Sequence, residues 1–266
     1  MTNSALIAME QYWFAVVPFA IVLVMMAFVA TDKLLWFIVF STPLSLNLEG
    51  LEFGGVGMFL PTEPLLFGVM LIFFLKLLYD KKYDVRVLNH PMTIALFFSL
   101  VWIIITTLTS SMPMVSFKFL LSRLWFLIAF YFIGIQLFNS KNNILTFCWL
   151  YLIPLVGVAI YTFIHHSTYG FAERPAHWVM QPFFKDHTVY GASITLIAFL
   201  SVFNIFNTKL NTITRLYFLM LTLILIAGII FSFTRAAWLS ILCALVVYVI
   251  MKLRISFRFL FISIST

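Results

Sequence analysis

The chain has 266 residues, of which 64% are hydrophobic and only 9% charged, with a mean hydropathy of +1.10. Soluble domains carry about a quarter charged residues, so this composition excludes a soluble enzyme or carrier and describes an integral membrane protein. The formal net charge of +7 would suggest nucleic acid in a soluble chain, but here the basic residues fall between apolar runs, where topology accounts for most of them, and no nucleic-acid partner is expected.

In chain order, "MTNSALIAMEQYWFAVVPFAIVLVMMAFVATDK" lacks a basic start and a small-residue cleavage site, so it reads as a first span rather than a signal peptide. Apolar runs predict spans near 12–30, 34–47, 61–79, 91–110, 117–138, 143–164, 188–206, 214–231 and 236–251, with a tenth beginning near 257. The expected fold class is therefore all-α: a polytopic membrane helix bundle of about nine to ten transmembrane helices, forming a single transmembrane domain over 1–266. The second run is short and carries Pro43, and "LEGLEFGGVGMFLPTEP" after it reads as an irregular outer segment. If the first two runs form one re-entrant unit, the count falls by one and the N-terminus changes side. The chain stops at "ISFRFLFISIST", about ten residues into a new apolar run, which leads us to expect a truncated or divided reading frame. Cys148 and Cys243 lie inside spans and count as small apolar side chains.

Orientation follows from lysine and arginine. Eleven of the sixteen basic residues, Lys33, Lys76, Lys81, Lys82, Arg86, Lys141, Lys209, Arg215, Lys252, Arg254 and Arg258, fall on one side under this alternation, and positive loops stay cytoplasmic. The other five, Lys118, Arg123, Arg174, Lys185 and Arg235, sit on or near the opposite, outer face and are the functional candidates.

Arg235 interrupts the apolar stretch "GIIFSFTRAAWLS" where two spans meet. One reading is an interfacial arginine reaching water beside Trp238. The other is a diphosphate ligand, since guanidinium grips phosphate oxygens bidentately and Ser232, Thr234 and two alanines allow close approach. The longest outer loop, 165–187, within "HHSTYGFAERPAHWVMQPFFKDHTVYGA", brings together Glu173, Arg174, His177, Lys185, Asp186, His187 and, just beyond it, Tyr190. It reads either as a solvated loop with local pairs such as Glu173 with Arg174 and Lys185 with Asp186, or as a helix start that attracts anions. Arg123, in "FKFLLSRLWFLIAF", lies about two turns into its span with Lys118, either snorkelling or serving as a second phosphate ligand. The spacing of His165, His166, His177 and His187 matches no compact zinc pattern, so no metal is expected. There is no Gly-rich phosphate loop, no nucleophile elbow and no intramembrane carboxylate pair.

The order of many spans, an outer loop ending in "PFFKDHTVYGA", two further spans and then "FSFTRAAWLS" resembles the O-antigen ligase and O-antigen polymerase superfamily over nearly the whole chain. That family carries a Ser/Thr-Arg-Gly/Ala motif at the periplasmic end of a helix, matched here by Thr234, Arg235 and Ala236. The resemblance implies a membrane-embedded C-type glycosyltransferase of the bacterial inner membrane, multi-pass, with its functional face periplasmic. It would move a glycan from undecaprenyl diphosphate to a lipid A core or another glycan acceptor, in contact with membrane lipid and with no cofactor, nucleotide sugar or metal. The resemblance carries Arg235 over as a donor-diphosphate ligand and Arg174 as a second, while His187 and Tyr190 match the loop-to-helix motif. Lys185 and Arg123 join the candidate donor site on charge placement alone. The family's general base, a histidine in a large later periplasmic loop, has no counterpart after Arg258, so the catalytic residues stay unassigned. A polysaccharide or polyprenyl-phosphate transporter, and a non-catalytic subunit binding lipid-linked glycan, are the alternatives.

Overall fold

A computed structural model describes residues 31–47, 59–80, 85–138, 140–206 and 210–252. The expected spans at 12–30 and from 257, most of the Gly-rich segment, and Lys81, Lys82, Lys209, Arg254 and Arg258 lie outside these residues.

The described chain is mostly helical. In order it forms α1 (Thr31–Ser41), a short 3-10 turn (Thr42–Leu44), β1 (Leu46–Asn47), β2 (Phe59–Leu60), α2 (Thr62–Asp80), α3 (Val85–Leu88), α4 (Pro91–Leu108), α5 (Pro113–Phe126), a π-helical stretch (Leu127–Ile133) and α6 (Gly134–Leu137). Then follow α7 (Lys141–Ser167), a 3-10 turn (Pro175–His177), α8 (His187–Ile205), α9 (Thr212–Phe231) and α10 (Arg235–Lys252). Six helices among the described residues are long and apolar enough to cross a membrane: Thr62–Tyr79, Pro91–Leu108, Pro113–Leu137, Lys141–Ser167, His187–Ile205 and Thr212–Phe231. They coincide with six of the expected spans to within a few residues, and α10 is a shorter apolar helix. This is the architecture of a multi-pass membrane protein, in which every backbone N–H and C=O inside hydrocarbon must be satisfied within its own segment.

One boundary differs from expectation. The run at 34–47 does not stay helical: α1 ends at Ser41, and the chain enters β1, which pairs antiparallel with β2 through Leu46 opposite Leu60 and Asn47 opposite Phe59. The stop is local chemistry. Ser41 Oγ donates to Phe37 O at 2.6 Å and Thr42 Oγ1 to Ile38 O at 2.7 Å, while Pro43 has no N–H to continue the ladder.

The chain packs as two compact units, Met1–Leu150 and Tyr151–Thr266. In the first, Leu34 and Ile38 of α1, Leu66 and Val69 of α2, and Trp125 and Ile128 around the α5 end form a buried apolar cluster. Two pairs of hydroxyls also join elements of this unit: Ser45 Oγ and Thr62 Oγ1 lie 2.8 Å apart, and Thr93 Oγ1 and Tyr131 Oη 2.6 Å apart.

In the second unit the latter half of α7, then α8, α9 and α10, pack together. Asp186 caps α8, and Asn211 caps α9 by accepting from Thr214 N–H at 2.8 Å. Arg215 Nε donates to Ile205 O at 2.8 Å, satisfying a terminal carbonyl of α8. Buried Ser201 and Thr222 join α8 to α9 at that end, with Thr222 Oγ1 donating to Ser201 Oγ at 3.0 Å. Toward the other end the helices close on Gly228, where a Cβ would stand 3.0 Å from Ile194 Cδ1 and 3.2 Å from Tyr190 Oη. Overpacking such a contact costs about 1–3 kcal/mol. Gly228→Leu should therefore lower the thermal midpoint of the purified protein in detergent by several degrees; an unchanged midpoint would show that α8 and α9 are not held at this spacing.

Candidate functional site

The loop between α7 and α8 is packed rather than solvated. Ala176, Val179, Met180 and Phe184 are buried, and the end of α7 holds the loop backbone through three side chains. Tyr161 Oη donates to Gln181 O at 3.0 Å. His165 Nδ1 lies 2.9 Å from Val179 O, and His166 Nε2 lies 2.8 Å from Ala172 O. A carbonyl only accepts, so each of these ring nitrogens carries the proton. His166 is buried against Phe171, Phe231 and Phe233, with ring centroids 5.4, 6.0 and 6.3 Å away. Two of the four loop histidines are thus structural.

The other two meet. His177, in the loop's 3-10 turn, and His187, at the first position of α8, face each other with Nδ1 atoms 3.0 Å apart and rings at 88°. Nine residues of irregular chain separate them, so no spacing rule links them. No group of three or more metal-binding side chains forms among the described residues.

Beside this pair Asp186 fills the α8 N-terminus. Its Oδ1 accepts from Thr188 N at 2.8 Å and from Val189 N at 2.9 Å, and these amides, that of Val189 first, hold the carboxyl below the usual carboxylate range. The anion expected at this helix start is the protein's own. A carboxyl whose pKa is lower folded than unfolded adds stability above its unfolded value and loses it as pH falls through its folded value.

The turn between α9 and α10 shows how Arg235 is held. Ser232 Oγ donates to Ile229 O at 2.8 Å, Phe233 adopts a left-handed backbone with φ 49°, and Thr234 Oγ1 donates to His187 O at 2.9 Å. Ser232 and Thr234 are buried. The hydroxyls that flank Arg235 are spent on the turn itself. A Cβ on Gly191 would lie 3.0 Å from Thr234 Oγ1 and 3.1 Å from Ser232 Oγ, so α8 reaches the turn because residue 191 has no side chain. Trp238 Nε1 donates to Ile229 O at 3.1 Å, a second tie between α10 and the end of α9. Arg235, the first residue of α10, is exposed and makes no hydrogen bond or ion pair among the described residues.

The other candidates fall as follows. Arg174 is exposed at the start of the loop's 3-10 turn and does not pair with Glu173. Lys185 is exposed between buried Phe184 and Asp186. Tyr190 is 1% exposed, with its hydroxyl turned inward toward Gly228, and so belongs to the helix packing rather than to the surface. Arg123 is exposed in the last turn of α5 and belongs to the first unit, where Lys118 pairs with Glu63 at 3.6 Å. Thr234 meets His187 directly, Arg235 follows Thr234 in the chain, and His177 is in contact with His187.

No protein-family model, curated protein or solved structure matches the chain. The fold and the site define a multi-pass, mostly helical membrane protein with an ordered loop and an exposed arginine on a fixed turn.

The Asp186 cap gives a direct check. Asp186→Ala removes the acceptor for two amides and should cost about 1 kcal/mol. The unaltered protein should lose this increment as pH falls below about 4, the usual carboxylate range, whereas the variant should not. Melting curves between pH 7 and pH 3 that run parallel for both proteins would contradict the cap.

Proposed function

We propose that the protein is an O-antigen ligase-like membrane glycosyltransferase that holds a polyprenyl-diphosphate-linked glycan at its loop face for transfer to a lipid A core or glycan acceptor. The observation that carries this reading is Arg235: a guanidinium exposed at the start of α10, unpaired among the described residues, on a turn fixed by buried hydroxyls. A cation maintained at the end of an apolar helix without a protein counter-charge suits an anionic ligand at the membrane surface. Guanidinium matches phosphate oxygens bidentately and keeps its charge at any physiological pH.

The chemistry fits a metal-free transfer. When the glycosidic bond to the diphosphate breaks, negative charge grows on the departing phosphate oxygen, and a positioned cation in a water-poor setting stabilises that charge by several kcal/mol. Arg235 takes this role, with Arg174 and Lys185 of the neighbouring loop as further cations for the same anion. His187 takes part through its backbone, which receives the Thr234 hydroxyl and so sets where Arg235 stands.

Removing one charge-assisted contact costs about 1.5–3 kcal/mol, so Arg235→Ala should weaken binding of a polyprenyl diphosphate by about 10- to 100-fold. The thermal midpoint should hold, because the side chain is exposed. Arg235→Lys should recover only part of the affinity, since a point charge replaces a planar fork. Unchanged affinity in the alanine variant would remove the diphosphate role.

A further inference from the structure

Three buried side chains of the second unit carry polar atoms with no hydrogen-bond partner among the described residues: Thr162 Oγ1 and His166 Nδ1 on α7, and Tyr190 Oη on α8. The residues are 6%, 1% and 1% exposed. Each orphan has a traceable origin. The proton of His166 sits on Nε2, which is engaged with Ala172 O, so Nδ1 is left as a bare acceptor. Threonines inside helices readily close on the carbonyl four residues back, as Thr195 does on Gly191 O and Thr222 on Phe218 O, both at 2.8 Å. Thr162 does not; its hydroxyl stands near that of Tyr190, with no hydrogen bond between them. The three atoms share one region. Thr162 and His166 are four residues apart and so lie one turn apart on one face of α7. A similar step on α9 separates Gly228, where an added Cβ would stand 3.2 Å from Tyr190 Oη, from Phe231, whose ring centroid is 6.0 Å from that of His166. One helical turn rises ~5.4 Å, too far for a direct bond and about the length of two hydrogen bonds end to end.

We infer that Thr162, His166 and Tyr190 hold a buried water molecule, which accepts from the two hydroxyls and donates to His166 Nδ1. Two orphaned donors and one orphaned acceptor require a small neutral ligand that can accept twice and donate once. Water does both, and a buried water makes about three hydrogen bonds. An anion has no proton for Nδ1, and a cation would bring an uncompensated charge into an apolar interior. Polar groups left unpaired at this depth are costly, since hydrocarbon offers them nothing. Entry is short: Thr162 is five residues from the end of α7 at Ser167, ~7.5 Å along the helix axis. The water also has a consequence for the loop. By donating to Nδ1 it keeps the proton on Nε2, the tautomer that holds Ala172 O, so the packing of α8 on α7 and the seating of the loop share one hydrogen-bonded chain. This site stands apart from the proposed role of Arg235 and would exist in a protein that binds no diphosphate.

The test is X-ray radiolytic labelling of the full chain in nanodiscs, read residue by residue by mass spectrometry. A bound water yields hydroxyl radicals in place and so marks the side chain beside it, even where bulk solvent does not reach. Tyr190 should be modified at a rate close to that of Tyr169, which is 47% exposed, while Phe218, 2% exposed, should stay unmodified. Labelling of Tyr190 no faster than that of Phe218 would overturn the proposal. Thr162→Val keeps the volume and removes one partner of the water, and should lose most of the Tyr190 label. Thr162→Ser keeps the hydroxyl and should retain the label, which separates loss of the water from loss of packing. Equal Tyr190 labelling in the unaltered protein and Thr162→Val would assign the label to transient opening of the helices and end the proposal. Loss of the label in Thr162→Ser as well as in Thr162→Val would also end it, because the methyl group rather than the hydroxyl would then be what matters.

Discussion

The loop end of the second unit depends on one close contact, the Thr234 hydroxyl donating to the His187 carbonyl across the bare backbone of Gly191. A side chain at 191 would push α8 from the turn. With α8 seated, Thr234 and Ser232 are buried and their hydroxyls are used internally, so the turn that precedes Arg235 is closed by its own hydrogen bonds. Gly228 does the same one layer further in, letting Ile194 and Tyr190 of α8 lie against α9. Small residues at helix contacts are how membrane bundles gain packing energy when burial from lipid contributes nothing.

That arrangement divides the polar residues of this end into two kinds. Tyr161, His165 and His166 hold the loop on α7, Asp186 satisfies the first amides of α8, and Ser232 and Thr234 close the turn. Each answers a backbone group that would otherwise be unsatisfied near or within the apolar phase. Arg174 and Arg235 answer none among the described residues. Exposed cations beside a well-ordered scaffold are what recognition of an anionic lipid headgroup requires: the scaffold bears the ordering cost before the ligand arrives, and the charges stay available.

Hydropathy made the helices legible because a membrane span needs about twenty consecutive apolar residues, and six such runs in the sequence correspond to six helices. It did not show where α1 stops, because Phe40, Leu44 and Leu46 are apolar in either state, and the break comes from Ser41, Thr42 and Pro43. Of the candidate site, the exposed cation at Arg235 was legible from charge alone. The rest was not legible where residue type leaves the role open. Ser232 and Thr234 read only as small flanking residues until the backbone groups they satisfy are known, and Tyr190 looks like part of the loop motif until the helix that covers it is known. The His177–His187 contact is created by the path of the loop, which no local pattern encodes.

The central claim is that the loop face recognises a diphosphate joined to a polyprenyl chain. The most direct measurement is native mass spectrometry of the purified protein titrated with polyprenyl diphosphate, polyprenyl monophosphate and the free polyprenol. The account predicts saturable one-to-one binding that is strongest for the diphosphate, weaker for the monophosphate and lost for the alcohol. Equal binding of all three, or none, would contradict it.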